Sequence, residues 1–211
     1  APLLKKYGPE ILTRNLKPKK KIEDYQIDRQ YFLEPGDLRV RKELEDMVEE
    51  VLLAYPALDV IQFDYIRYPD FHPVYGYTPM NMERFRKATG RRLIKDEDPA
   101  WQDWKREQVT DFLKGLIRKV RSIRPKLHIS TTGCMSYARA YHEAFQDWPS
   151  WVNTGLVEFV TVMSYPDTHE DFLNQLTDAR KRMTDFKKLK FGVPAYKLVE
   201  TPQIFIDQFN A

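Results

Sequence analysis

Val60-Ile61-Gln62-Phe63-Asp64-Tyr65-Ile66-Arg67-Tyr68-Pro69-Asp70 is the stretch on which the fold turns. Val60, Ile61 and Phe63 are the apolar residues of a buried strand. Directly after Phe63 the chain passes into a carboxylate, two tyrosines and an arginine. Such a strand end either closes on an Asp64–Arg67 ion pair or delivers reactive groups to the C-terminal edge of a parallel sheet.

The same pattern recurs on both sides of this stretch. Upstream, 29–33 (RQYFL) is a short apolar run stopped by Glu34-Pro35-Gly36, a turn signal. Asp37 then caps a predicted helix whose apolar positions Val40, Leu44, Val48 and Val51 follow helical spacing, and Tyr55-Pro56 ends it. Downstream, an excursion over 66–98, rich in Pro and Tyr, holds a short predicted helix closed by Gly90. Asp98-Pro99 opens the longest helix, with Val109, Phe112, Leu116 and Val120 on one face. Strands are then predicted at 127–131, 157–163 and 189–193, separated by helices through Trp148 and Trp151 and over 170–184, and Thr201-Pro202 starts a last helix.

Strand and helix therefore alternate about five times, which calls for an α/β fold with parallel strands and helical crossovers. A glycine-rich phosphate loop after a strand, the mark of a nucleotide-binding open sheet, is missing. Polar and aromatic residues cluster instead after the strand ends, at Glu34, 64–70, 131–135, 164–169 and 195–197, where a (β/α)8 TIM barrel builds its site. The expectation is one barrel domain over 1–211, incomplete because eight strands and about 250 residues are usual, and lacking roughly the first two strands and the last.

Composition narrows the function classes. The 34 basic and 31 acidic residues are interspersed, and the one basic cluster, 17–21, runs straight into Glu23 and Asp24, so it reads as a solvated turn rather than a nucleic-acid surface. Cys134 is the single cysteine, which excludes a disulfide framework and a cysteine zinc site. His72, His128, His142 and His169 lack metal-ligand spacing, and neither metal nor cofactor is expected. No run reaches the roughly 18 apolar residues of a membrane span. The chain opens at Ala1 without Met, so a leader or longer N-terminal part is expected to have preceded it. The oligomeric state is not readable.

Asp64 is the leading catalytic candidate, with Tyr65, Arg67 and Tyr68 beside it. Trp101-x-x-Trp104-x-x-Glu107 places two indoles and a second carboxyl along one face of the long helix; the alternative is core packing and a first-turn acid suiting the helix dipole. In Ser164-Tyr165-Pro166-Asp167-Thr168-His169, Asp167 is a third candidate carboxylate or a helix cap. Glu34, His72 and Tyr165 complete the set of possible substrate contacts. Two carboxylates, aromatic platforms and no cofactor suit glycoside hydrolysis, in which one acid protonates the leaving oxygen and the other attacks or activates water; carboxylate separation, and so stereochemistry, stays open.

Several of these motifs, in order, resemble the glycosyl-hydrolase-like family 10. They are YFLEPGDLRVRKEL, LDVIQFDYIRYPD, DPAWQDWKREQVTDFLKGLIRKVRSIRPKLHISTTG and WPSWVNTGLVEFVTVMSY. The family's strings run approximately as a FLDPG turn, a DGIHFDDY or HLDYIRYP strand, a WRRENV helix and a W…GWVDYVAPQLYW segment, and the likeness extends over about 30–197. The resemblance implies a TIM-barrel glycosidase acting on polysaccharide or oligosaccharide, bacterial, and secreted, periplasmic or on the cell surface. It places Asp64 on the family's strand-end Asp, Trp104 and Glu107 on the Trp and Glu of the WRREN helix, and Tyr165 on the aromatic after the VAPQLY strand. Tyr65 stands where many members have a second Asp, and Glu34 where Asp or Asn is usual. A barrel that binds carbohydrate without catalysis is the competing reading.

Overall fold

The computed structural model describes residues 2–70 and 73–211; His72, one of the expected substrate contacts, lies outside the described residues. In chain order the elements are α1 (Pro2–Tyr7), α2 (Leu38–Ala54), β1 (Val60–Phe63), α3 (Pro79–Thr89), α4 (Pro99–Ile123), β2 (His128–Cys134), α5 (Tyr137–His142), α6 (Trp148–Asn153), β3 (Phe159–Met163), α7 (His169–Lys181), β4 (Leu189–Gly192) and α8 (Pro202–Phe209).

Local chemistry sets the helix ends. Asp37, Thr78, Asp98 and Thr168 each accept a hydrogen bond from a backbone N–H of the first turn of α2, α3, α4 and α7, supplying acceptors that the helix itself lacks there. Pro79 and Pro99 occupy first-turn positions whose N–H has no helical partner. Gly90 closes α3 with φ +71°, a conformation that a Cβ penalises.

The four strands form one parallel sheet in the order β1-β2-β3-β4. Each crossover contains at least one helix, and the order never reverses. The course is singly wound, without the switch point of a doubly wound sheet. The arc is open: among the described residues β1 and β4 each have one strand neighbour. Four strands stand where about five were expected. The run 29–33 does not enter the sheet. Asp28 and Arg29 adopt left-handed conformations and turn the chain, so that Ile27 bridges Gln30 and Leu33 bridges Leu12 in isolated antiparallel contacts.

The two sheet faces differ. Phe63, Ile129, Val160, Val162 and Leu189 are buried in a core with Val109, Phe112, Leu113, Leu116 and Val120 of α4 and Val48 and Leu52 of α2. The other face carries Gln62, Ser130, Thr161 and Lys190. The Gln62 side-chain carbonyl accepts the hydroxyls of Ser130 and Thr161, each at 3.2 Å. It therefore links β1 to β3 over two strand spacings of roughly 4.8 Å each. This face is polar and partly open to solvent: Val60 at its β1 edge is 40% exposed. No helix among the described residues is long and apolar enough to cross a membrane.

Candidate active site

Parallel register brings the site together. Phe63 aligns with Thr131, so Asp64, the next residue, comes level with Thr132. One oxygen of Asp64, Oδ1, accepts the Thr132 hydroxyl at 2.6 Å and the Tyr65 N–H at 2.7 Å. Oδ2 has no hydrogen bond to the protein among the described residues, and Asp64 is exposed. The alternative, an Asp64–Arg67 ion pair closing the strand end, does not form among the described residues. Tyr65 has φ +58°, a left-handed conformation costing a residue with a Cβ roughly 1–2 kcal/mol, and this turn carries the chain from strand to site.

Arg67 is buried and points away from Asp64. Its guanidinium lies 4.6 Å from the Tyr65 ring centroid and pairs with Asp70. Burial works to raise the Asp70 carboxyl, but Arg67 and then Arg139, 3.5 Å away, outweigh it and hold Asp70 below the usual carboxylate range. The Cys134 thiol donates to Asp70 at 3.5 Å and accepts from Arg139 at 3.3 Å. Burial pushes this thiol's pKa up, so it is poorly suited to nucleophilic work.

Tyr68 and Glu34, expected among the substrate contacts, are both buried. The Tyr68 hydroxyl donates to Glu34 Oε1, which also accepts the Gly36 N–H at 3.0 Å; Glu34 Oε2 is buried without a hydrogen-bond partner. Burial raises both pKa values. Asn81 donates to the Tyr68 oxygen at 3.3 Å and accepts the Trp104 indole N–H at 2.8 Å. This chain of polar groups pins the excursion after β1 to α4. Glu34 and Tyr68 thus support the site from beneath.

The long helix contributes less than its spacing promised. Trp101 is fully buried against Tyr77 and Phe85, and Trp104 is half-buried, edge-on to Phe85 with Arg84 above it. Both indoles pack α3 on α4. Glu107 is on the exposed stripe of α4 with Asp103 and Lys114, away from the buried stripe of Lys105, Gln108, Val109 and Phe112. No hydrogen bond joins Trp104 or Glu107 to the Asp64 cluster among the described residues.

Tyr165 and Asp167 emerge from β3 at the same end of the sheet. The Tyr165 phenol's pKa is raised by burial, then by Tyr196 and by the Asp64 carboxylate, so its ring sits within electrostatic reach of Asp64. Tyr196, following β4, packs edge-on to Tyr165 at 6.1 Å. Asp167 does not cap α7, because Thr168 does. Its side chain is 78% exposed and pairs with Lys197 at 3.6 Å, and Lys197 also donates to the Tyr165 carbonyl at 3.2 Å. Gly192 leaves room for Tyr165: a Cβ there would be 3.3 Å from the phenolic oxygen. Thr132, Tyr196 and Lys197 lie within the strand-end clusters 131–135 and 195–197 but were not named individually, and Gly192 was not marked. Only strand pairing brings Thr132 to Asp64.

A cavity of about 450 Å³ opens beneath β1, with Asp64, Tyr65 and Arg67 at its rim. Its walls are mainly apolar side chains of α2, α4 and the 30–35 segment. Asp64, Tyr65, Tyr165 and Tyr196 lie instead on an exposed surface at the strand ends. No group of three or more potential metal ligands converges among the described residues.

Residues 4–205 match the glycosyl hydrolase-like 10 family. The chain is 26% identical over 149 residues to proteins named glycosyl hydrolase DigH from Escherichia coli O6:H1, Escherichia coli K12 and Shigella flexneri. Each alignment takes in 64% of this chain and 32% of the relative, so the chain spans about a third of their length. The chain belongs to the glycosyl hydrolase-like 10 family.

Proposed function

We propose that this chain carries the catalytic mouth of a TIM-barrel glycoside hydrolase that cleaves polysaccharide, with Asp64 and Asp167 as its two carboxylates. The observation that carries the reading is the construction around Asp64. It stands at the C-terminal end of a parallel strand, Oδ1 is fixed by Thr132 and Tyr65, and Oδ2 is left to meet a solute. Tyr65, Tyr165 and Tyr196 supply ring faces for the apolar side of a sugar. The open arc and its polar inner face suit a barrel closed by further strands.

In this mechanism Asp167 protonates the glycosidic oxygen, and Asp64 Oδ2 attacks the anomeric carbon or takes a proton from the attacking water. Lys197 keeps Asp167 at the mouth. Bacterial cell-wall glycan, met outside the cytoplasm, is the substrate class that fits family membership. Asp64→Asn lowers the release of reducing ends by about 10²–10⁴-fold, as loss of a general acid or base does, with oligosaccharide affinity retained. Unchanged turnover in that variant removes the assignment. Tyr65 in the place of a second strand-end Asp favours one other reading, a sugar-binding barrel without turnover. Glycan binding by the parent protein with no product at any pH establishes it.

A further inference from the structure

A second polar cluster lies on the helical layer, apart from the mouth. Arg41 of α2 and Arg84 of α3 both donate to the side-chain carbonyl of Gln108 on α4, at 2.9 and 2.7 Å. Two donors on one oxygen lie within about 6 Å of each other. Their other acceptors are neutral as well. Arg41 donates to the carbonyls of Pro35 at 2.8 Å and Gln108 at 3.0 Å, and Arg84 to that of Gly36 at 2.6 Å. Neither guanidinium has a carboxylate within ion-pair distance among the described residues. The acids around them are committed: Asp37 to Arg39, Asp111 to Lys114, and Glu34 to Tyr68.

Two positive charges are thus held together by neutral hydrogen-bond acceptors, with the Trp104 ring beside Arg84 and carboxylates acting only at longer range. Burial lowers the pKa of both, and the charge of Arg84 lowers that of Arg41 further. Among the described residues, Nη1 of Arg41 and Nε and Nη2 of Arg84 have no hydrogen-bond partner, and none of them is sealed from solvent. The remaining N–H groups of the two guanidinia present forked donors of the kind that a multi-oxygen anion accepts.

We propose that Arg41 and Arg84, converging on Gln108, form an oxyanion-binding site for a phosphate or carboxylate group. The test follows the melting temperature of the chain during titration with inorganic phosphate and, separately, malonate, at constant ionic strength held with chloride. A site predicts a saturable rise, about 2–4 °C once the anion reaches roughly five times its dissociation constant. Phosphate or malonate as the stronger ligand identifies the anionic group. Arg84→Gln abolishes the saturable part. Should that variant fold poorly, Arg84→Lys keeps the charge but loses the fork, and weakens binding about tenfold by calorimetry. No saturable rise with either anion, or an equal rise in the Arg84 variants, overturns the proposal.

Discussion

Replacing Lys105 by Met tests the energetics of the layer beneath the mouth. Lys105 is fully buried on α4. Its ammonium donates to the Pro73 carbonyl at 2.7 Å and lies 3.8 Å from the Phe145 ring centroid and 5.8 Å from that of Trp101. Burial brings its pKa down to about 7, with Asp96 and Glu34 pulling it up and Arg106 opposing them. Each unit corresponds to about 1.4 kcal/mol, so keeping Lys105 charged in the folded state costs about 5 kcal/mol below pH 7. Met preserves the apolar stem and removes the charge, but leaves the Pro73 carbonyl without its partner, a loss of roughly 1–3 kcal/mol. The variant is therefore about 2–4 kcal/mol more stable than the parent at pH 6. The sign of the pH dependence follows from proton counts. Between about pH 7 and 10 the unfolded lysine holds a proton that the folded one has released, so parent stability rises with pH through that window. The variant lacks this slope, and its advantage vanishes or reverses by pH 10. Urea unfolding at pH 6, 8 and 10, followed by tryptophan fluorescence, measures both quantities. Parallel stability curves for the two proteins, or a less stable variant at pH 6, would refute the account of Lys105 as a strained buried cation.

Thr132→Val removes the hydroxyl that fixes Asp64 while keeping the shape of the side chain. Because solvent can replace that bond at an exposed carboxylate, stability changes by less than about 1 kcal/mol, whereas kcat falls about 10–100-fold. A loss confined to KM, or none, shows that Thr132 does not position Asp64. Gly192→Ala puts a methyl 3.3 Å from the Tyr165 ring and hydroxyl, displacing the ring by a few tenths of an ångström. The KM for oligosaccharide then rises about 3–10-fold with kcat held, and an unchanged KM means Tyr165 does not touch the sugar.

Much of this molecule was legible in its residue order because the signals are local. The i, i+3, i+4 spacing of Val40, Leu44 and Val48 and the acids and threonines before Pro79 and Pro99 specify helices within a few residues of themselves. The strand runs read at 58–63, 127–131, 157–163 and 189–193 locate the strands in the same way, within a few residues of their ends. The run 29–33 looked similar, but left-handed turns at Asp28 and Arg29 sent it to Leu12.

The ordered motifs also carried the family, and Asp64 was marked by its place after Phe63. What the sequence left open were relations between residues far apart in the chain. Glu107 shares helical spacing with Trp104, yet only packing decides which stripe of α4 meets the core, and that stripe excludes Glu107. Glu34 and Tyr68 are polar and lie beside turns, and tertiary structure buries them against one another across 34 residues. Thr132 acquires its role only when β2 pairs with β1 in one register, 68 residues from Asp64. Sequence period decides local conformation because φ, ψ and side-chain direction repeat along one element. Register and burial depend on the free energy of the whole chain packing at once, and they determine which carboxylate faces solvent and which is enclosed.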